Sequence, residues 1–310
     1  MRIRATVAAV SGALALSALA VPAAQAAGDS SPSRADILKT AQIAREAASS
    51  KTAFTGSTAA DGEPYEMDLT FSNVKINSGK PIVAGISNQV TVPVTYTVTH
   101  PADVDVNDPD FYMDVEIYRG SYDDPSNMLF GDDWPVCTDS TSTVATCKGT
   151  IDIYPSDELS NADAASWKAD GWAVDYNGQD PDDPDADWSQ VGYATQDGLA
   201  TTKLQRYSKL TVNASPEPVS KGKTITVTGK LTRANWDKHA YAGYTLQSVK
   251  LQYKKQGTTS YTTLKTITSD STGYLKTTTT AGYDGYYRYS FAGTSTTPAV
   301  TSYPDFVDVQ

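Results

Sequence analysis

The strongest constraint on the fold is a period of two. From Val90 to Val98 the even positions Val90, Val92, Val94, Tyr96 and Val98 are apolar or aromatic, and Thr91, Pro93, Thr95 and Thr97 lie between them. Successive side chains of an extended chain point to opposite faces, so this run is a strand that buries one face and exposes the other. Met67, Leu69 and Phe71 repeat the pattern, as do Phe111, Met113, Val115 and Ile117. Gly149–Tyr154 and Trp172–Tyr176 read as further strands, and Leu204–Val212 closes the set. Pro93 has no N–H to donate, so its strand is expected to meet a sheet edge or a bulge there.

The C-terminal third repeats this logic with clearer punctuation. Strands are expected at Thr224–Leu231, Val249–Lys254, Tyr261–Ile267, Tyr274–Thr279, Tyr286–Phe291 and Phe306–Val309. The turn residues of Asp270–Gly273 and Ala281–Gly285 separate them at sandwich spacing. The reading is an all-β chain of two tandem Ig-like β-sandwich domains, over residues 66–206 and 207–310. A tyrosine in Asp284–Arg288 sits where such a domain enters its penultimate strand, and is expected to tie its hydroxyl to the preceding corner. The prolines of Ser215-Pro216-Glu217-Pro218 predict a short, stiff connection between the halves.

Ahead of the sandwiches, Arg2 and Arg4 precede an apolar run that ends at Ala24-Gln25-Ala26, the form of a secretory signal cleaved after Ala26. The apolar run is short for a membrane span. Residues 27–65 read as a leader, a tether or propeptide-like segment. Ile37, Leu38, Ala41, Ala44, Ala47 and Ala48 there supply one face of a short helix opened by Ser33 or Asp36. The expected location is secreted and extracellular, with cell-wall association. The only cysteines, Cys137 and Cys147, suit that compartment as a disulfide stapling a hairpin, worth roughly 3 kcal/mol if unstrained. They lack the C-x-x-C spacing of exchange chemistry.

Charge divides the chain. Residues 66–202 carry 25 Asp and Glu against 5 Lys and Arg, a net of −20, whereas residues 203–310 carry 6 against 14, a net of +8. Such asymmetry implies different partners for the halves, or attraction between them.

The stretches Leu210–Val219, Lys221–Leu231 and Phe291–Thr297 resemble the C-terminal Ig-like module of exported actinobacterial proteins with tandem Ig-like domains. The likeness covers roughly residues 204–310 well and the acidic half loosely. It implies fold and export, and brings no catalytic residues.

Hydrolytic chemistry needs a base near neutral pKa beside a nucleophile. His100 and His239 are the only histidines, and neither lies in a nucleophile motif or a zinc-ligand pattern. The expectation is a protein that is not an enzyme. An enzyme of unrecognised type built on paired carboxylates is the remote alternative.

Two acidic loops are the candidate metal sites. Asp103, Asp105, Asn107, Asp108 and Asp110 follow the long strand; Asp180, Asp182, Asp183, Asp185 and Asp187 follow the Trp172 strand. Hard oxygen ligands on a flexible loop suit calcium, although neither loop is an EF-hand. Sandwich lettering sends both loops to the same tip, which makes it a candidate calcium site or a surface for a basic partner. No cofactor is required otherwise. In the second domain the loop Thr232–Gln247 carries Trp236, Tyr241 and Tyr244, expected to pack at the interdomain junction or to stack on a flat ligand. Lys221, Lys223, Lys230, Arg233, Lys250, Lys254 and Lys255 suit anionic wall polymers. Nucleic acid is not expected, because no recognition motif is present. The leading reading is a secreted, non-catalytic binding or surface-interaction protein, whose partner is an extracellular protein, a cell-wall polymer or a polysaccharide. A calcium-dependent adhesin or carbohydrate binder is the alternative.

Overall fold

The computed structural model describes Ile37, residues 64–181 and residues 183–310. The expected secretory signal, and the expected leader up to residue 63 apart from Ile37, lie outside the described residues.

The first sandwich is built from β1 (Tyr65–Glu66), β2 (Thr70–Ile76), β3 (Ile82–Ala84), β4 (Val90–Thr99), β5 (Phe111–Gly120), β6 (Pro125–Leu129), β7 (Val136–Thr141), β8 (Val144–Ile153), β9 (Ser166–Asp175) and β10 (Gly192–Arg206). One sheet has the order β2-β4-β8-β7. The other has the order β1-β10-β9-β5-β6, with β3 also on β10. Both β1 and β3 run parallel to β10; the remaining pairs are antiparallel.

The period-two runs face each other across the core: Val92, Val94, Tyr96 and Val98 from one sheet meet Met113, Val115, Ile117, Trp167 and Ala169 from the other. Gly171 makes room for a core ring, since a Cβ there would lie 2.9 Å from Phe71. β4 is central, paired with both β2 and β8, but β2 ends at Ile76 opposite Val94. From Pro93 back to Val90 the strand therefore has one neighbour, and the open edge expected of the proline lies there.

Cys137 and Cys147 face each other across the β7–β8 hairpin and form a disulfide with a Cα–Cα separation of 4.1 Å. β7 is otherwise mostly exposed, so the staple fixes an edge strand to the core residue Cys147.

The second sandwich contains β11 (Ser208–Leu210), β12 (Asn213–Ser215), β13 (Thr224–Asn235), β14 (Ala240–Gly243), β15 (Ser248–Lys255), β16 (Thr262–Thr268), β17 (Tyr274–Thr280), β18 (Gly285–Phe291), β19 (Val300–Thr301) and β20 (Asp305–Val307). One sheet gathers β11, β12, β14 and β17 around β13; the other has β16-β15-β18-β19, with β20 also on β18. Ile225, Val227 and Leu231 pack on Leu251, Tyr289 and Phe291 between them.

Two local expectations change. The proline stretch does not connect the domains. It follows β12 inside the second sandwich, and Val219 beyond it makes a parallel bridge with Val309. Prolines offer no N–H to β13, so the ladder stops and the chain crosses to the residues that follow β20, the last strand of the other sheet. The passage between sandwiches is Tyr207 alone, between Arg206 at the end of β10 and Ser208 at the start of β11. The corner tyrosine also differs: Tyr253 on β15 donates its hydroxyl to the carbonyls of Tyr283 (2.9 Å) and Asp284 (3.1 Å). Tyr253 is the cross-strand partner of Tyr287, so it reaches the corner from the neighbouring strand, while Tyr287 is buried in the core.

Candidate binding surfaces

The residues singled out in the sequence fall into three places. The first is the junction. Trp236 opens the short turn after β13 and is fully buried, but among residues of the first sandwich's core rather than its own. Its indole nitrogen donates to the carbonyl of Gly85 at 2.6 Å, and its backbone N–H to Asn161 Oδ1 at 3.0 Å. Asn161 reciprocates, donating its backbone N–H to Asp237 Oδ1 at 2.8 Å and its side-chain amide to Asn235 Oδ1 at 2.9 Å. Backbone bonds from Tyr207 to Ala84 (2.9 Å) and from Ala234 to Tyr207 (2.8 Å) clamp the passage.

Arg206 donates from Nε to the Ala234 carbonyl at 2.5 Å. Burial, and then the neighbouring Arg233, lower its guanidinium pKa to about 10. Tyr241 packs at the edge of the same cluster, with Lys209 Nζ 3.5 Å from its ring centroid and the Tyr207 ring at 6.3 Å. Tyr244 is not part of the junction. It belongs to the second core, edge-on to Phe291 at 5.6 Å, with Arg233 stacked 3.9 Å over its ring.

The second place is the acidic tip. Phe111 and Gly192 both pair with Asp175, so the β4–β5 and β9–β10 connections leave the sheet at one end on either side of that residue. Most of the loop carboxylates with hydrogen bonds serve their own turns. Asp105 accepts from Asn107 N (2.9 Å), Asp108 from Asp110 N (2.8 Å), Asp183 from Asp185 N (2.9 Å) and Asp187 from Ser189 N (3.1 Å). These are two-residue Asx turns, which hold each carboxylate against its own backbone. Asp103 is exposed, the Asp180 carbonyl accepts from Asp183 N, and Asp182 lies outside the described residues. Asn107 reaches across to the Asp139 carboxylate at 3.3 Å.

Among the described residues no three His, Cys, Asp or Glu side chains form a group that could hold a metal ion. The geometry instead singles out Asp175, which the loop motifs did not mark. Burial raises its pKa against a hydrogen bond from Asn177 N, and the charges of Asp108 and Asp110 raise it further. Its signal in the sequence was faint: it stands at the last position of a strand, on the core side of the alternation. A cleft of about 300 Å³ beside the tip is lined by Asn107, Asp108, Tyr112, Trp134 and Cys137.

The third place is the outer face of β15 and β18 in the basic half. Lys254 lies 4.8 Å from the Tyr286 ring centroid and 5.3 Å from that of Tyr261, and Arg288 lies 3.6 Å over Tyr261. At the strand ends Lys221 (4.7 Å) and Lys255 (4.1 Å) flank the exposed ring of Tyr283. Arg288 Nε donates to Gln252 Oε1 at 2.8 Å, and a cleft of about 260 Å³ runs along Lys250, Gln252 and Ser290. The cations were legible in the sequence; the tyrosines beneath them were not, because Tyr261 and Tyr283 come from turns. Of the other predicted cations, Arg233 is stacked on Tyr244 of the second core, while Lys230 lies on the opposite sheet.

His100 is buried, with Nδ1 2.9 Å from the Pro101 carbonyl, and His239 closes the turn after Trp236 in a left-handed conformation. Neither approaches a nucleophile among the hydrogen bonds of the described residues.

No model of a known protein family matches the sequence, and no curated protein matches it. Among solved structures, the Yersinia pseudotuberculosis adhesin InvE is 13% identical, over 77% of this chain and 58% of that one, with a TM-score of 0.23. The mouse nectin-like molecule 4 ectodomain is 11% identical, over 77% and 65%, with a TM-score of 0.22. The Escherichia coli adhesin FdeC is 17% identical, over 80% and 65%, with a TM-score of 0.22. The chain spans less than two thirds of the length of each. At these TM-scores the likenesses carry no argument about function, and the fold rests on the sheets described above. Among the described residues no helix is long and apolar enough to cross a membrane.

Proposed function

We propose that this chain is an extracellular, non-catalytic binding protein whose second sandwich attaches to an anionic cell-wall polymer. The observation that carries the reading is the pair Lys254 and Arg288 over Tyr261 and Tyr286 on the outer face, with Lys221 and Lys255 around Tyr283 at its end. Cations on this face and at its end meet a repeating anion, and the rings beside them stack on sugar rings. These residues belong to the basic half, and the acidic first sandwich is repelled by the same polymer. The junction then fixes the acidic domain outward from the attached one.

Retention on isolated cell walls, measured against rising salt with and without a chelator, tests the proposal. Retention is expected to fall with salt and to ignore the chelator. The triple variant Lys254→Glu, Lys255→Glu, Arg288→Glu should lose it, while Lys230→Glu with Lys276→Glu on the opposite sheet should keep most of it. Loss on chelation would favour a calcium-dependent adhesin, and salt-insensitive retention a neutral glycan. Equal retention by both variants would remove these residues from the account.

A further inference from the structure

Two arginines from different sandwiches come together beside the passage between them. Arg206 ends β10 of the first sandwich, and Arg233 stands on β13 of the second. Arg206 directs its Nε to the carbonyl of Ala234, the residue after Arg233, at 2.5 Å. Both arginines also hold Thr296. The backbone N–H of Arg206 donates to its carbonyl at 3.0 Å, while Arg233 Nη1 donates to its hydroxyl at 3.3 Å and to that of Thr297 at 3.1 Å. Arg233 lies 3.9 Å over the Tyr244 ring, which fixes the plane of its guanidinium.

Among the described residues no carboxylate forms an ion pair with either arginine. The carboxylate whose charge reaches Arg206 is that of Asp237, and its two oxygens accept from the backbone N–H and side-chain amide of Asn161 instead. Arg206 is only 7% exposed. Its terminal nitrogens nevertheless make no hydrogen bond among the described residues, and they are not sealed from solvent. Arg233 Nε and Nη2 likewise donate to no acceptor there. Burial lowers the pKa of both guanidiniums, and the charge of Arg233 lowers that of Arg206 further. A cation taken from water and set beside another is unfavourable until a negative charge answers it.

We infer that the junction binds a small tetrahedral oxyanion of the phosphate or sulfate class between the guanidiniums of Arg206 and Arg233. Such an anion brings two charges for two cations and enough oxygens for both donor forks, whereas a carboxylate brings one charge and two oxygens. Held there, it ties β10 of the first sandwich to β13 of the second. Occupancy therefore tightens the passage around Tyr207. The inference stands apart from cell-wall attachment, which uses the outer face of β15 and β18.

Calorimetric titration of the full chain with inorganic phosphate at fixed ionic strength is the test, and one saturable site is expected. Arg206→Gln and Arg233→Gln should each weaken binding about tenfold, the loss of one charge-assisted hydrogen bond. Arg206→Lys should weaken it as well, because an ammonium keeps the charge but not the fork. Lys254→Gln and Arg288→Gln, on the attachment face, should leave it unchanged. Sulfate should compete with phosphate, and acetate should bind far more weakly. Amide exchange at Tyr207 and Ala234 should slow when phosphate is added to the wild-type chain, and should not in Arg233→Gln. If Arg206→Gln fails to fold because the Ala234 carbonyl loses its donor, Arg233→Gln and the wild-type titration decide the matter. The proposal is overturned by a wild-type chain with no saturable phosphate binding, by acetate binding as tightly as phosphate, or by undiminished binding in folded Arg206→Gln and Arg233→Gln. Loss of the site in Arg288→Gln would overturn it too, since phosphate would then be reading the attachment face.

Discussion

The indole N–H of Trp236 and the carbonyl of Gly85 meet at 2.6 Å across the boundary of two sandwiches. A side chain of one domain therefore completes the core of the other. Trp236→Ala empties that site and should cost about 3–5 kcal/mol. Because the cavity opens at the boundary, the variant should also split one calorimetric transition into two. Trp236→Phe keeps most of the apolar volume but leaves the Gly85 carbonyl without its donor, and about 1–3 kcal/mol is expected. A single unshifted transition in Trp236→Ala would remove the tryptophan from the junction's energetics.

Asp175 and Asp152 respond to pH with opposite sign. The folded pKa of Asp175 is raised by burial and by Asp108 and Asp110, so the folded state holds its proton more tightly than the unfolded chain does. Its contribution is lost as pH rises through that raised value, above the ordinary carboxylate pKa of about 3.9. Asp175→Asn should therefore raise the urea midpoint most at neutral pH and have its smallest effect in acid.

For Asp152, burial pushes the pKa up but is outweighed. Hydrogen bonds from Thr91 Oγ1 (2.6 Å), Asp132 N (3.0 Å), Thr150 Oγ1 (3.0 Å) and Gln89 Nε2 (3.0 Å) bring it below the usual value. Its stabilisation is present above the unfolded pKa and disappears as pH falls through the folded one. Asp152→Asn should lower the midpoint at neutral pH, with the difference closing in acid.

Removing the disulfide by Cys137→Ser with Cys147→Ala should cost about 2–3 kcal/mol. Amide exchange should accelerate chiefly along β7, an edge strand with little burial, while the β4–β8 ladder stays protected. Equal acceleration in both strands would mean that the staple holds the sheet and not its edge.

Tyr289 of β18 spans the second core and donates its hydroxyl to the carbonyl of Val227 at 2.9 Å. Tyr289→Phe leaves that carbonyl buried without this donor, at about 1–2 kcal/mol, and should shift the urea midpoint with little change in slope. A shift no larger than that of an exposed control such as Tyr303→Phe would count against the bond.

What the sequence revealed was what a period of two can report. β4, β13, β15 and β18 each bury one face, and β5, though buried on both, keeps its apolar residues on one, so an alternation marks all five. β7 was harder to see because almost nothing in it is buried, and β3 because three residues hold no period. β9 was read short at Trp172, since burial on both faces around Asp170 hides the alternation. The prolines misled for a related reason: a break in pairing looks the same in sequence whether the chain is leaving a domain or crossing between its sheets. Trp236 was read as a junction residue from the order of its loop. That it would enter the first domain's core depends on Gly85 and Asn161, which are far away in the chain.

The way each sandwich closes bears on tension. In the first, β1 and β3 lie parallel to β10; in the second, Val219 lies parallel to Val309. A pull on the two ends of the first domain runs along β1 and β10 and loads their hydrogen bonds together in shear, instead of peeling them one after another. With only Tyr207 between the sandwiches there is little slack to absorb extension first. Stretched from its two ends, the chain should hold its length until the first domain yields abruptly, and a single-molecule force trace would show that as a sharp step.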